Sequence, residues 1–233
     1  MIPLHDDNPT STFPIITIGL IATCVAVFLW QFTLGERAGQ MALFAFGVTP
    51  ATLLGGAALP PEVYRVPPSI TVFTSMFLHG GWMHLIGNML YLWIFGNNVE
   101  DAMGHLRFIA FYLLCGVAAV AAQALPSPHS AIPMIGASGA ISGVLGAYLL
   151  LFPRARVLVL IPLGLFTRTM RLPAILVLGL WFGLQLLSNA LAPSDGGGVA
   201  WGAHIGGFVA GMVLIPFFKR RGVRLFASAR RQD

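Results

Sequence analysis

Charge is scarce in this chain. Asp, Glu, Lys and Arg make up 9% of its 233 residues against 57% apolar residues, and a mean hydropathy of +0.82 excludes an ordinary soluble domain. Cysteine is nearly absent as well. Cys24 and Cys115 both fall inside apolar runs, which excludes a disulfide framework and leaves two buried thiols. No Lys or Arg precedes the first apolar run, so that run lacks the basic flank of a signal peptide and reads as a retained helix. The net charge of +5 does not point to nucleic acid, because the positive residues lie in loops and in the tail and are not interleaved with aromatics. With no internal repeat, no low-complexity segment and no second domain boundary, residues 1–233 read as a single polytopic membrane domain whose main surroundings are the lipid bilayer.

What the chain does have is apolar runs. Crossing a hydrocarbon core about 30 Å thick takes roughly 20 helical residues, and six runs are candidates, at about 13–34, 74–95, 106–123, 138–152, 172–191 and 199–218. The expected fold class is therefore an all-α membrane protein, a bundle of six transmembrane helices. The long connection 35–70, with its Pro60-Pro61 and Pro67-Pro68 pairs, is expected to lie partly in the membrane interface. A short segment holding Glu100, Asp101, His105 and Arg107 is expected to join the second and third helices. The stretch 157–166 is too short to span and is placed at the interface, among Arg154, Arg156, Arg168 and Arg171. Six spans put eleven of the thirteen Lys and Arg residues on one side, including the basic tail 219–233, so the positive-inside bias places both termini in the cytoplasm.

That topology brings polar residues from distant sequence to one depth. The second, fourth and sixth helices run in the same direction, and His84 and Asn88, Ser138, and His204 all stand early in them. The fourth helix is short, about 22 Å for its 15 residues at 1.5 Å each. Ser138 is thus expected below the external surface, reached by a loop that dips into the protein beside a water-filled cavity. Gly139 and Gly143 on the fourth helix, and Gly207 and Gly211 on the sixth, have the spacing that lets two helix backbones approach closely. Such packing would put the Ser138 hydroxyl beside the His204 imidazole, which could take its proton during attack on a carbonyl. His84 and Asn88 are four residues apart and share a helix face. With the unpaired backbone N–H of Ser138 they could donate to a developing oxyanion, while Gly136 and Ala137 leave room for a substrate carbonyl. A metal would want a third ligand near His84 and His204; His79 is poorly placed and no carboxylate lies at that depth, so neither a metal nor a cofactor is expected.

These residues resemble the rhomboid family of intramembrane serine proteases. The family's Gly-x-Ser-Gly matches Gly136-Ala137-Ser138-Gly139, its His-x-x-x-Asn matches His84 to Asn88, and its His-x-x-Gly-x-x-x-Gly matches His204 through Gly207 to Gly211. The resemblance implies Ser138 as nucleophile, His204 as general base without a carboxylate partner, and His84, Asn88 and the Ser138 N–H as oxyanion donors. It further implies transmembrane protein substrates cut through an acyl-enzyme, a bacterial inner membrane location with the site opening outward, and a gate and cap formed by the fifth helix and Gly196-Gly197-Gly198. Two positions depart from the pattern. Ile70-Thr71 stands where many members have Trp-Arg, with Tyr64-Arg65 six residues earlier, and Ser142 stands where some have a Tyr that stacks on the base. Two alternatives differ in class. A non-proteolytic rhomboid-like binding or quality-control protein is expected to lose Ser138 or His204, and both are present; a small transporter predicts repeated or interrupted helices, which are not apparent.

Overall fold

Helices form at each of the six places where an apolar run predicts one, and strands form where none is expected. The structure, a computed structural model, describes residues 1–163, 166–192 and 198–227. In chain order its elements are β1 (Ile2–Asp6), α1 (Ile15–Thr33), α2 (Gly35–Phe46), α3 (Pro50–Leu53), α4 (Pro68–Thr74), α5 (Trp82–Met103), α6 (His105–Ala124), α7 (Ser138–Leu151), β2 (Arg156–Leu163), β3 (Phe166–Pro173), α8 (Ala174–Leu191) and α9 (Trp201–Phe218). Four helices, α1, α6, α8 and α9, are long and apolar enough to cross a membrane. The 22 residues of α5 have the length, but His84, Asn88, Asn97 and Asn98 dilute its apolar character. With 14 residues α7 is the shortest of the helices at those six places. Gly196, Gly197, Arg230 and Arg231, part of the expected cap and tail, lie outside the described residues.

The core is built around α7, eleven of whose residues are buried. Its glycines set how closely the neighbours come. A Cβ on Gly207 would fall on the Gly139 carbonyl and one on Gly211 on the Gly143 carbonyl, while Gly146 meets the Phe208 carbonyl in the same way. Gly139 and Gly143 also abut Ala119 and Cys115 of α6, so α6, α7 and α9 pack backbone to backbone over small residues. Farther along α7 the packing turns aromatic, with Tyr148 edge-on to Phe95 and Phe152.

Three expectations are corrected. The all-α expectation fails at a three-stranded antiparallel sheet in the order β1-β2-β3. Its register runs Ile2↔Leu160 to Asp6↔Val157 on one side and Arg156↔Pro173 to Leu163↔Phe166 on the other. Within that stretch residues 157–163 are strand and Phe166 begins the antiparallel partner: Val157 and Val159 are buried while Arg156 is exposed, the period of two that β-branched residues favour in a half-buried strand.

The second helix also runs past its expected end at Phe95 to Met103, and Glu100 and Asp101 are buried helical residues instead of loop charges. Their carboxylates have found donors. Glu100 accepts from the N–H groups of Ile16 and Thr17 at 3.0 and 2.8 Å and from the Thr17 hydroxyl at 2.6 Å, supplying acceptors to the unpaired first turn of α1. It also meets His105 Nδ1 at 2.6 Å. Asp101 accepts from the N–H of Ser11 and from the hydroxyls of Ser11 and Thr12. Finally, the connection 35–70 is no plain loop, since it holds α2, α3 and the start of α4. Arg65 lines a cavity of about 180 Å³ with Trp30, Leu34, Phe46 and Glu62.

The sheet anchors the far end of α7 from Ser138. Asp6 is 4% exposed and accepts a 2.6 Å hydrogen bond from the Tyr148 hydroxyl. Burial pushes the Asp6 carboxyl up from 3.8 to about 6, against the lowering effect of that hydrogen bond. A raised value means that the folded state holds the proton more tightly, so this contribution to stability is fully present below about 4 and is lost as pH rises through about 6. The shift corresponds to on the order of 3 kcal/mol. Asp6→Asn, which keeps an acceptor without the charge, is expected to unfold at a higher temperature than wild type at pH 7.5 in detergent, with the gap closing as the pH falls below 4. A gap independent of pH would show that Asp6 is not the titrating group.

Candidate active site

The segment ahead of α7 is drawn into the protein by backbone pairing. Val48 and Met134 exchange N–H···O bonds of 3.0 and 2.8 Å, and Gly136 N–H donates to the Ser75 carbonyl at 2.9 Å. Non-helical backbone at that depth is thereby satisfied by protein, as burial requires. Gly136 has φ +115°, and a Cβ there would stand 2.7 Å from His84 Nε2 and 3.7 Å from Ser138 Oγ. Only glycine fits, on both counts. The space so kept open lies between the hydroxyl and the imidazole, and a cavity of about 30 Å³ lined by Ser75, Gly136, Ser138 and Gly139 adjoins it. That volume admits a water molecule.

Ser138 begins α7, so its own N–H has no partner within the helix. Its Oγ is 2.8 Å from His204 Nε2 on α9, a hydrogen bond between residues 66 apart in sequence. Both side chains are half-buried and so remain reachable. On α5, His84 Nδ1 accepts from the Gly80 N–H at 3.3 Å, which leaves the ring proton on Nε2, aimed at the space beside Gly136. Asn88, one turn along, is 9% exposed, and its Nδ2 has no hydrogen-bond partner among the described residues. It makes no bond to Ser138.

The approach of α9 is fixed at its start. Gln123 Oε1 of α6 accepts from the Ala203 N–H at 3.2 Å, one residue before His204. On the other side, Gln31 holds the entry to α5 by accepting from the His79 N–H at 3.1 Å. His79 itself is 2% exposed, its ring edge-on to His84 at 5.1 Å.

Two features of the site escaped the sequence reading. His204 Nδ1 is 2.7 Å from Gln185 Oε1 on α8, and Gln185 is the one amide in the apolar run 174–187. An amide in a stretch expected to face lipid is itself a signal, since polar groups there turn toward the bundle interior. The second concerns Ser142. Its hydroxyl donates to the Ser138 carbonyl at 2.6 Å and does not touch the imidazole. The ring of His204 is flanked instead by Trp181, tilted 35° at 6.0 Å, and by Trp201, edge-on at 6.0 Å.

With that geometry in place, comparison with known proteins is decisive. A family model described as the Rhomboid domain matches residues 61–221, which contain every one of these side chains except Gln31 and Val48. The chain belongs to the rhomboid family. Rhomboid protease GluP of Bacillus subtilis is 32% identical over 216 residues, covering 92% of this chain and 38% of that protein. The mitochondrial Rhomboid protein 1 of Saccharomyces cerevisiae is 30% identical over 180 residues, 71% of this chain and 48% of that protein. RHOMBOID-like protein 5 of Arabidopsis thaliana is 32% identical over 146 residues, 61% and 42% of the two chains. This rhomboid chain therefore spans less than half the length of those relatives. Rhomboid proteins are in general intramembrane serine proteases that act on transmembrane substrates in the bilayer, and some are inactive. Family and apolar helices together make this an integral membrane protein.

Proposed function

We propose that this protein is an intramembrane serine endopeptidase that hydrolyses peptide bonds in or near transmembrane segments through Ser138 and His204. The observation that carries the reading is the 2.8 Å contact between Ser138 Oγ and His204 Nε2, set beside a space that faces the Nε2–H of His84. As Oγ attacks the scissile carbonyl carbon, its proton passes to Nε2. The carbonyl oxygen, now an oxyanion, accepts from His84 Nε2–H, the Ser138 N–H and the amide of Asn88. Collapse breaks the C–N bond, the imidazolium returns its proton to the departing amine, and an acyl-enzyme on Ser138 remains. Water entering beside Gly136 gives a proton to His204, attacks the acyl carbon, and releases the new carboxylate as Oγ regains its proton.

The remaining assignments follow the same reading. Six helices, α1 and α5 to α9, span the bilayer within one domain, with α7 reaching only part of the way. Arg154, Arg156, Arg168, Arg171, Lys219, Arg220, Arg221 and Arg224 gather at the end away from Ser138, which by the positive-inside bias is cytoplasmic. The site then opens to the external face, in keeping with a bacterial inner membrane. A fluorophosphonate, which loses fluoride to an activated serine, tests the pair directly. Wild type is expected to label on Ser138 and His204→Ala to fall to background; labelling of His204→Ala at the wild-type rate would sink the dyad and favour a non-proteolytic role.

A further inference from the structure

A base works only when its lone pair faces the proton it must take. For His204 that means Nε2 bare and Nδ1 protonated, and an imidazole alone has no strong preference for this tautomer. We propose that Gln185 is the positioning residue of the reaction: its Oε1 accepts the proton on His204 Nδ1 and so holds the Nε2 lone pair on the Ser138 hydroxyl. This rests on the reading of Ser138 and His204 given above.

Three observations carry it. The amide orientation is fixed independently of the histidine, since Gln185 Nε2 lies 3.2 Å from the Trp181 carbonyl, an acceptor only. The amide must donate there, which turns Oε1 toward Nδ1 at 2.7 Å. An amide oxygen can only accept, so Nδ1 carries the hydrogen. Second, Gln185 is 6% exposed, so water does not compete well for either end of it. Third, no other acceptor meets Nδ1 among the described residues, and no carboxylate among them contacts His204.

The choice of an amide makes physical sense at this depth. A buried carboxylate would stabilise the imidazolium but carries a desolvation penalty of several kcal/mol, whereas Gln185 fixes the tautomer without a charge. The bond also crosses from α8 to α9. Ile175, Leu176, Leu180, Leu184, Leu187 and Leu191 are exposed on α8, so the acceptor is borne by a helix with a free outer side, and an outward displacement of α8 takes it from the base.

The test uses the full chain in detergent micelles. Gln185→Leu is expected to slow fluorophosphonate labelling of Ser138 by about 10- to 100-fold. On a model transmembrane substrate the loss should fall in kcat, with KM within about twofold. Gln185→Glu, which restores an accepting oxygen, should recover most of the rate. A structural role alone would not move the tautomer, which is read by ¹⁵N resonances of labelled histidine, of which the chain has six. Wild-type His204 should show the Nδ1–H form and Gln185→Leu a mixture. A wild-type His204 protonated on Nε2, or Gln185→Leu labelling within twofold of wild type, would overturn the proposal while leaving the dyad intact. Wild type that does not label at Ser138 removes the dyad and this inference with it. The wild-type spectrum stands even if Gln185→Leu does not fold.

Discussion

Ser138→Ala and His204→Ala are each expected to abolish cleavage of a model transmembrane substrate by the purified protein, while the temperature of unfolding moves by only a few degrees. The expected loss in kcat is about 10⁴-fold or more for either substitution, and the double substitution costs little beyond the larger single one, because nucleophile and base act as a unit. On the proposed mechanism, what remains is the contribution of His84 and Asn88 on α5, which neither change touches. Stability should hold because both side chains are half-buried and share a single neutral hydrogen bond, worth about 1 kcal/mol. His204→Ala also strips the Gln185 oxygen of its donor and so should cost slightly more than Ser138→Ala. Cleavage retained in either variant would mean that another group attacks the carbonyl.

Gly211→Ala should be nearly as damaging, from a position with no chemistry of its own. The added methyl falls on the backbone of Gly143, which cannot swing aside as a flexible side chain can, so α9 must move outward. Overpacking of this kind costs about 1 to 3 kcal/mol, and a shift near 1 Å between Ser138 and His204 lowers the rate by about 100-fold. Gly183→Ala supplies the control. It lies exposed on α8 with nothing within 4 Å of the new Cβ, and both unfolding temperature and labelling rate are expected to match wild type. Equal effects at the two glycines would mean that helix propensity, not the approach of α9 to α7, governs the outcome.

Much of this was legible in the residues. Ser138 and His204 both stand early in helices of the same direction, and the glycines at intervals of four let the two backbones meet. Helix positions followed from apolar runs alone, to within about two residues for five of the six. The exception, α5, is instructive: Glu100 and Asp101 read as loop because an unpaired carboxylate does not belong in an apolar span, and their donors come from Ser11, Thr12, Ile16 and Thr17, more than 80 residues away. The sheet was hidden for the same reason. Alternation in Val157, Val159 and Ile161 is visible locally, but β1, the strand that gives it an edge to pair with, stands at residues 2–6. Gln185 differs, since its position in an apolar helix was in plain view; only its distance from His204 was not.

The last turn of α7 is closed from outside the helix. Leu150 and Leu151 leave carbonyls free there, and their donors are the N–H groups of Phe226 and Ala227, at 2.7 and 3.0 Å. Those residues emerge from the ribosome long after α7 itself, and so does His204, which follows Ser138 by 66 residues. At about 5 to 20 residues per second, the nucleophile waits roughly 3 to 13 seconds for its base, and longer for its helix to be sealed. Through that interval the nascent chain carries Ser138 without the imidazole that the proposed dyad requires, so the pair is assembled only after α9 has been made.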